Sequence, residues 1–235
     1  MSKYPNIRIL PVDFQLAKII YQEHHRTTNI PVGHKQSYVL IQDTFDEFGD
    51  RKYEKICDTT CFDDVFENYM NKNYPDGSWG DDILWMADEG GDPHLWSLGK
   101  IIGICSIGNP VARFTEKNVY EINRICFLRY SELKTNFEKK LPSKLVREAV
   151  KDFKSLYKTN KIYTYIHDWE NGKYLEYAGF RKDKVIKYSK NCKGWNNRPN
   201  RKKSNLENKI RFVADDKIQT STRKSTINNS ESIKT

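Results

Sequence analysis

The chain has 235 residues, 37% of them apolar and 13% aromatic, which suits one domain of ordinary size with a real core. No apolar run approaches the roughly 18–20 residues needed to cross a bilayer, and MSKYPNIRIL lacks a basic-then-apolar export signal, so neither a membrane span nor secretion is expected. The five cysteines are odd in number and widely spaced; they read as reduced thiols of a cytoplasmic protein rather than a disulfide framework.

In chain order, IRIL (7–10) predicts a short strand. Asp13 is placed to cap the helix FQLAKIIYQEHHR, in which Phe14, Ala17, Ile20 and Tyr21 recur at helical spacing and face the core. Pro31 and Gly33 break the chain, and SYVLI (37–41) predicts a second strand. Residues 43–97 differ in style. They carry Trp79, Trp85 and Trp96, several turn clusters and a possible short helix, FDDVFENYM. Asp43 to Asp92 holds fifteen acidic residues against four basic. The segment reads as an acidic insertion in the hairpin between strands 2 and 3, since strand-like sequence resumes at Lys100.

KIIGICSIGNPVA (100–112) predicts a strand broken by Gly108 and Pro110, and VYEINRICFL (119–128) another. Strict alternation in the latter puts Tyr120, Ile122, Arg124 and Cys126 on one face and Glu121, Asn123, Ile125 and Phe127 on the other. Pro142 opens a helix, PSKLVREAVKDFKSLYK, with Leu145, Ala149, Phe153 and Leu156 on its apolar face. KIYTYIHD (161–168) is a strand, GKYLEYAGF (172–180) a short helix ended by Gly179, and KVIKYSK (184–190) a last strand. From Lys193 onward eleven basic residues face four acidic ones, and the composition predicts a basic polar tail, largely disordered over 204–235. The fold class is α+β, a mixed central sheet flanked by helices.

The order of strand EINRICFL, helix LPSKLVREAV, strand KIYTYIHD and the ending LEYAGF (175–180) resembles the second half of a GNAT acyltransferase domain. Within that superfamily the match is to the phage and prophage transferases related to the Mom DNA-modification protein. It is carried by HHR and PVGH (24–34), GNPVAR (108–113), EINR (121–124), TYI (164–166), ENGKYLEYAGF (170–180) and GWNNRPNRKK (194–203). The resemblance covers roughly 7–42 and 98–203, so the catalytic domain is expected over 1–42 and 98–203, with the insertion at 43–97. The chain departs from the GNAT pattern twice. The segment before the 142 helix, RYSELKTNFEKKLPSK, has no glycine, and Leu175 stands where many of these enzymes carry an acidic tyrosine.

The resemblance implies an acyl-CoA-type donor, acetyl-CoA or another, whose arm pairs with the backbone at Ile125, Cys126 and Phe127. A helix tip with Lys140, Ser143 and Lys144 would hold its phosphates. Such transfer needs a base for the attacking amine and donors for the developing oxyanion, and no covalent enzyme intermediate. Glu121 is the first candidate base, or else it forms an ion pair with Arg113 or Arg124. His24, His25 and His34 are further candidates, since an imidazole titrates near neutrality; helix C-terminal capping is the competing role for one of the first two. Arg113 and Arg124 suit a phosphate of donor or nucleic acid, or a structural salt bridge. Cys57, Cys61 and His94 do not complete a zinc set, and no metal is expected. In the segment 193–203, Trp195, Arg198 and Arg201 combine cations with an aromatic ring and suggest DNA as partner. The implied activity is N-acylation of a DNA base. The alternatives are transfer to a small amine or protein amine, and a non-catalytic binding protein of the same fold whose acidic insertion meets another protein. Nothing in the sequence points to an oligomeric state.

Overall fold

A computed structural model of the chain describes residues 6–24, 33–57, 72–73, 83–87, 93–110, 116–128, 138–159, 161–187 and 208–215. Ten strands and three helices of four residues or more fall within them: β1 (Ile7–Val12), α1 (Phe14–His24), β2 (His34–Gln42), β3 (Tyr53–Cys57), β4 (Ile83–Ala87), β5 (Pro93–Leu98), β6 (Lys100–Gly108), β7 (Val119–Phe127), α2 (Leu141–Tyr157), β8 (Lys161–His167), α3 (Lys173–Tyr177), β9 (Arg181–Ile186) and β10 (Lys209–Asp215). Seven strands make one mixed sheet in the order β1-β2-β6-β7-β8-β10-β9. Every pairing in it is antiparallel except β7 with β8. This is an α+β architecture. No helix among the described residues is long and apolar enough to cross a membrane.

Each helix forms for a local reason. The carboxylate of Asp13 accepts the N–H of Leu16 at 2.9 Å and so caps α1. Pro142 sits in the first turn of α2, where a missing N–H costs nothing, and Lys158 in the left-handed region ends that helix. Burial on α1 spans Leu16, Ala17, Ile19, Ile20 and Tyr21. On α2 the buried stripe includes Leu145, Val146, Ala149, Val150 and Phe153. Leu156 departs from the expected stripe and is 61% exposed; Tyr157 turns inward instead and stacks on Phe153 with ring centroids 4.2 Å apart.

The two faces of the sheet hold separate cores. α2 and α3 cover one face, where Ile102, Ile107, Ile122, Ile162, Ile210 and Phe212 pack with Leu145 and Phe153. α1 covers part of the other, over Val39, Ile41, Ile101 and Ile104. Residues 43–99 leave and re-enter the sheet between the adjacent strands β2 and β6. Within them β3, β5 and β4 form a separate antiparallel sheet whose Ile56, Ile83 and Leu95 join the α1 core. The FDDVFENYM segment lies outside the described residues.

The sheet's far edge corrects the reading of the C-terminal part. Lys209–Asp215, placed in a disordered tail by its polar surroundings, is a strand that inserts between β8 and β9. Its Ile210, Phe212 and Ala214 are buried against the helices. β9 also begins earlier than expected, at Arg181 rather than 184, and runs to Ile186; residues 188–190 lie outside the described residues.

Candidate active site

The site is built by one irregularity in β7. Opposite β6, Arg124 pairs with Ser106 and Ile122 with Ile107, so Asn123 is an extra residue, a β-bulge. A bulge bends its strand and sharpens its twist. The parallel ladder between β7 and β8 runs only from Val119–Lys161 to Ile122–Thr164 and stops there, at the bulge. Beyond it β7 continues beside β6 to Phe127, and β8 continues beside β10 to His167. The two strands therefore part into a wedge.

The bulge also corrects the expected alternation. Ile125 and Phe127 share the α2 face with Tyr120 and Ile122, whereas Cys126 lies on the α1 face with Leu128. Glu121 lies on the opposite face from Ile125 and Phe127, because the extra residue inverts the pleat between them. Main-chain direction follows from Leu128, whose N–H donates to Ile102 on the β6 side at 2.9 Å. Counting back along the strand, the peptide groups of Ile125 and Phe127 face the wedge, and that of Cys126 faces β6. Gly103 permits this packing: a Cβ there would stand 2.8 Å from the Phe127 ring and 2.9 Å from the Cys126 carbonyl.

The N-terminal part of α2 lies under the same region, with Leu145 of its second turn packed near Gly103. The N-cap of α2, Lys140, makes no side-chain capping bond, and the first turn contains no acidic residue. Its amide groups and partial positive charge thus meet no capping side chain or acid of that turn. Lys140 is exposed, Ser143 is buried, and Lys144 is half-buried with its ammonium pKa lowered by desolvation. The residues present fit an anion better than they fit a cation.

On the opposite face, the carboxylate-bearing Glu121 is 7% exposed. It is the ladder partner of Tyr163, and its charge helps raise the Tyr165 phenol, whose shift comes first from burial. Arg211 of β10 stands over the Tyr163 ring at 4.7 Å and donates to the Asp183 carboxylate at 2.5 Å. A carboxylate, two phenols and a guanidinium thus occupy one patch of sheet beside the wedge.

The histidines separate. His24 ends α1, exposed, with Nε2 3.1 Å from the carbonyl of Ile56 in the insertion. His34 starts a buried chain: Nε2 to Ser37 Oγ at 2.8 Å, Ser37 to Ser106 at 2.5 Å, Ser106 to the Tyr21 hydroxyl at 2.8 Å, and that hydroxyl to the Arg124 carbonyl at 3.4 Å. Desolvation lowers the His34 pKa and raises that of Tyr21 strongly. The chain ends at the β7 bulge region, so it ties that strand to β2, β6 and α1. Burial also pushes the Cys126 thiol up to about 11, which keeps it neutral and argues against a nucleophilic role.

The structure thus brings Glu121, Arg124, Ile125, Cys126 and Phe127 onto one strand, with Lys140, Ser143 and Lys144 near its end. His24 and His34 lie on the α1 side. His25, Arg113, Trp195, Arg198 and Arg201 lie outside the described residues. Among the described residues no group of three or more metal-ligating side chains forms. Two residues outside the expected site set stand beside it. Arg211 was hidden in the apparent tail. Tyr174 on α3 meets the Phe127 ring edge-on, with centroids 5.5 Å apart, while its neighbour Leu175 is wholly buried. Aromatic content around the LEYAGF ending was the available signal; which ring turned toward β7 depended on helix phase.

No protein-family model and no curated protein sequence matches the chain. Solved structures do match. One is an IAA acetyltransferase from Bacillus cereus, with 14% identity, 89% of this chain and 99% of that chain covered, and a TM-score of 0.46. Another is a GNAT-family acetyltransferase from Bacillus anthracis, with 15% identity, 91% and 96% covered, and a TM-score of 0.41. A third is a spermidine N-acetyltransferase chimera from Vibrio cholerae, with 12% identity, 89% and 95% covered, and a TM-score of 0.42.

Proposed function

We propose that the chain is a GNAT-type N-acyltransferase that uses an acyl-CoA-type donor and acylates an amino group on a DNA base. The observation that carries this reading is the parting of β7 from β8 at the Asn123 bulge, beside the first turn of α2, whose N-cap Lys140 makes no side-chain capping bond. A wedge between parallel strands offers peptide groups to an extended amide-bearing arm, and the helix tip beside it suits that arm's phosphates.

The donor supplies an acyl group already activated as a thioester. Around it, Ile125 and Phe127 present main-chain groups that pair with the arm and donate to the oxygen on which charge develops. Lys140, Lys144 and the amides around Ser143 hold the phosphates. Glu121, buried on the same strand, takes the proton from the attacking amine, directly or through one water; the amine nitrogen bonds to the acyl carbon, the thioester C–S bond breaks, and the departing thiolate takes up a proton from water. Holding both reactants on one strand turns a bimolecular encounter into a positioned one. The aromatic and cationic residues near Glu121 favour a planar, phosphate-bearing acceptor over a polycationic amine.

The test is incubation of the purified protein with labelled acetyl-CoA and single-stranded DNA, followed by nucleoside mass analysis. A new acylated nucleoside is the expected result. Acylation of small amines or protein with unmodified DNA would remove the DNA acceptor, and no transfer or binding of any acyl-CoA would remove the transferase reading.

A further inference from the structure

The face of β8, β10 and β9 that points away from α2 and α3 carries a pattern no motif announced. Cross-strand register puts Tyr165, Arg211 and Lys184 in one row and His167, Lys209 and Ile186 in the next. At the end of this second row Trp169 lies nearly parallel to His167, with 5.3 Å between centroids and a 9° tilt, and is 61% exposed. Every residue of β9 is exposed. Asp183 is bonded to Arg211, Asp168 accepts from Asn208 and Glu170 accepts the His167 N–H, while Lys184 and Lys209 supply cations along the two rows.

We infer that this sheet face is a docking track for single-stranded DNA, with the Trp169–His167 stack receiving a base and Lys184, Lys209 and Arg211 meeting phosphates. Three features select this occupant. Charge complementarity calls for a polyanion. An exposed indole already seated on a second ring presents a flat π surface, which every nucleobase can join. Unstacked bases of a single strand lie readily across a sheet face that carries exposed aromatic rings. The rows lead by way of Tyr165 and Tyr163 to Glu121, so a strand on the track brings a base to the closed end of the wedge, where β7 and β8 are still paired. The inference deepens the DNA-acceptor reading above and rests on it for the choice of DNA.

The experiment is fluorescence anisotropy of a labelled oligodeoxythymidylate with the full chain over a series of salt concentrations. Trp169 and Lys184 are exposed and Lys209 is half-buried, and a circular-dichroism melt of each variant checks that it folds. Trp169→Ala is expected to weaken binding by about five- to hundredfold at every salt concentration, with Trp169→Phe restoring most of it. Lys184→Glu with Lys209→Glu is expected to weaken binding at least tenfold at low salt and to flatten the salt slope. Unchanged affinity in both variants overturns the track, as does tighter binding of oligouridylate RNA or of duplex DNA than of the single-stranded DNA. Donor binding is read separately, as the thermal shift of the unaltered protein with acetyl-CoA. A track that binds DNA in a protein indifferent to acetyl-CoA stands while the transferase reading falls; a protein stabilised by acetyl-CoA whose DNA affinity ignores the track shows the reverse.

Discussion

Thr164 on β8 and Ile122 on β7 are joined twice: as ladder partners, and by the Thr164 hydroxyl, which donates to the Ile122 carbonyl at 3.3 Å. This is the last rung before the strands part. Both residues are buried, at 3% and 3% exposure, so the carbonyl there has little access to water. Thr164→Val keeps the shape and removes the donor. It is expected to cost about 1 kcal/mol of stability, read from the urea midpoint at constant m-value. A midpoint equal to that of the unaltered protein would mean that the hydroxyl bond contributes nothing.

Glu121→Gln preserves volume and removes the base. Acyl transfer should fall by about 10²–10⁴-fold in kcat, with the acetyl-CoA thermal shift retained. An unchanged kcat would move the base elsewhere, and His34 would be the next residue to alter.

Acetyl-CoA at a hundredfold excess over its Kd should stabilise the protein by about 2.7 kcal/mol, which raises Tm by roughly 5–10 °C. Lys144→Glu places an acid in the first turn of α2 and should weaken donor affinity by about tenfold. Equal affinity in the two proteins would place the donor's phosphates away from this helix tip.

His34 gives a pH dependence of defined sign. Burial lowers its folded pKa below the unfolded value of about 6.5, so the unfolded chain binds its proton more readily. The resulting contribution to stability is present above the unfolded pKa and is lost as pH falls through the folded one. Urea midpoints of the unaltered protein should therefore drop more between about pH 7.5 and about pH 5 than those of His34→Gln. Parallel pH profiles would show that the imidazole titrates as it does in the unfolded chain.

Cys105 and Cys126 are both buried, and burial raises both thiols. Neither should react with iodoacetamide at neutral pH until urea unfolds the protein, as read residue by residue in peptide masses. Cys126→Ser should leave acyl transfer within a few-fold, whereas a nucleophile would lose it.

The sequence by itself determined the elements that satisfy their own local rules. The stripe of Leu145, Ala149 and Phe153 behind Pro142 specified α2, Asp13 specified the start of α1, and the β-rich run 161–168 specified β8, because periodicity and capping act within a few residues. The tertiary structure alone decided the rest. The run IRFVA in β10 is short and set among lysines, arginines and acids; it becomes a strand because β8 and β9 offer it two edges and the helices bury its Phe212. The bulge at Asn123 has no signature in residue type, since an extra residue exists only relative to the β6 register. That one inserted residue decided which way Glu121, Ile125 and Phe127 face, and so decided the geometry of the candidate site.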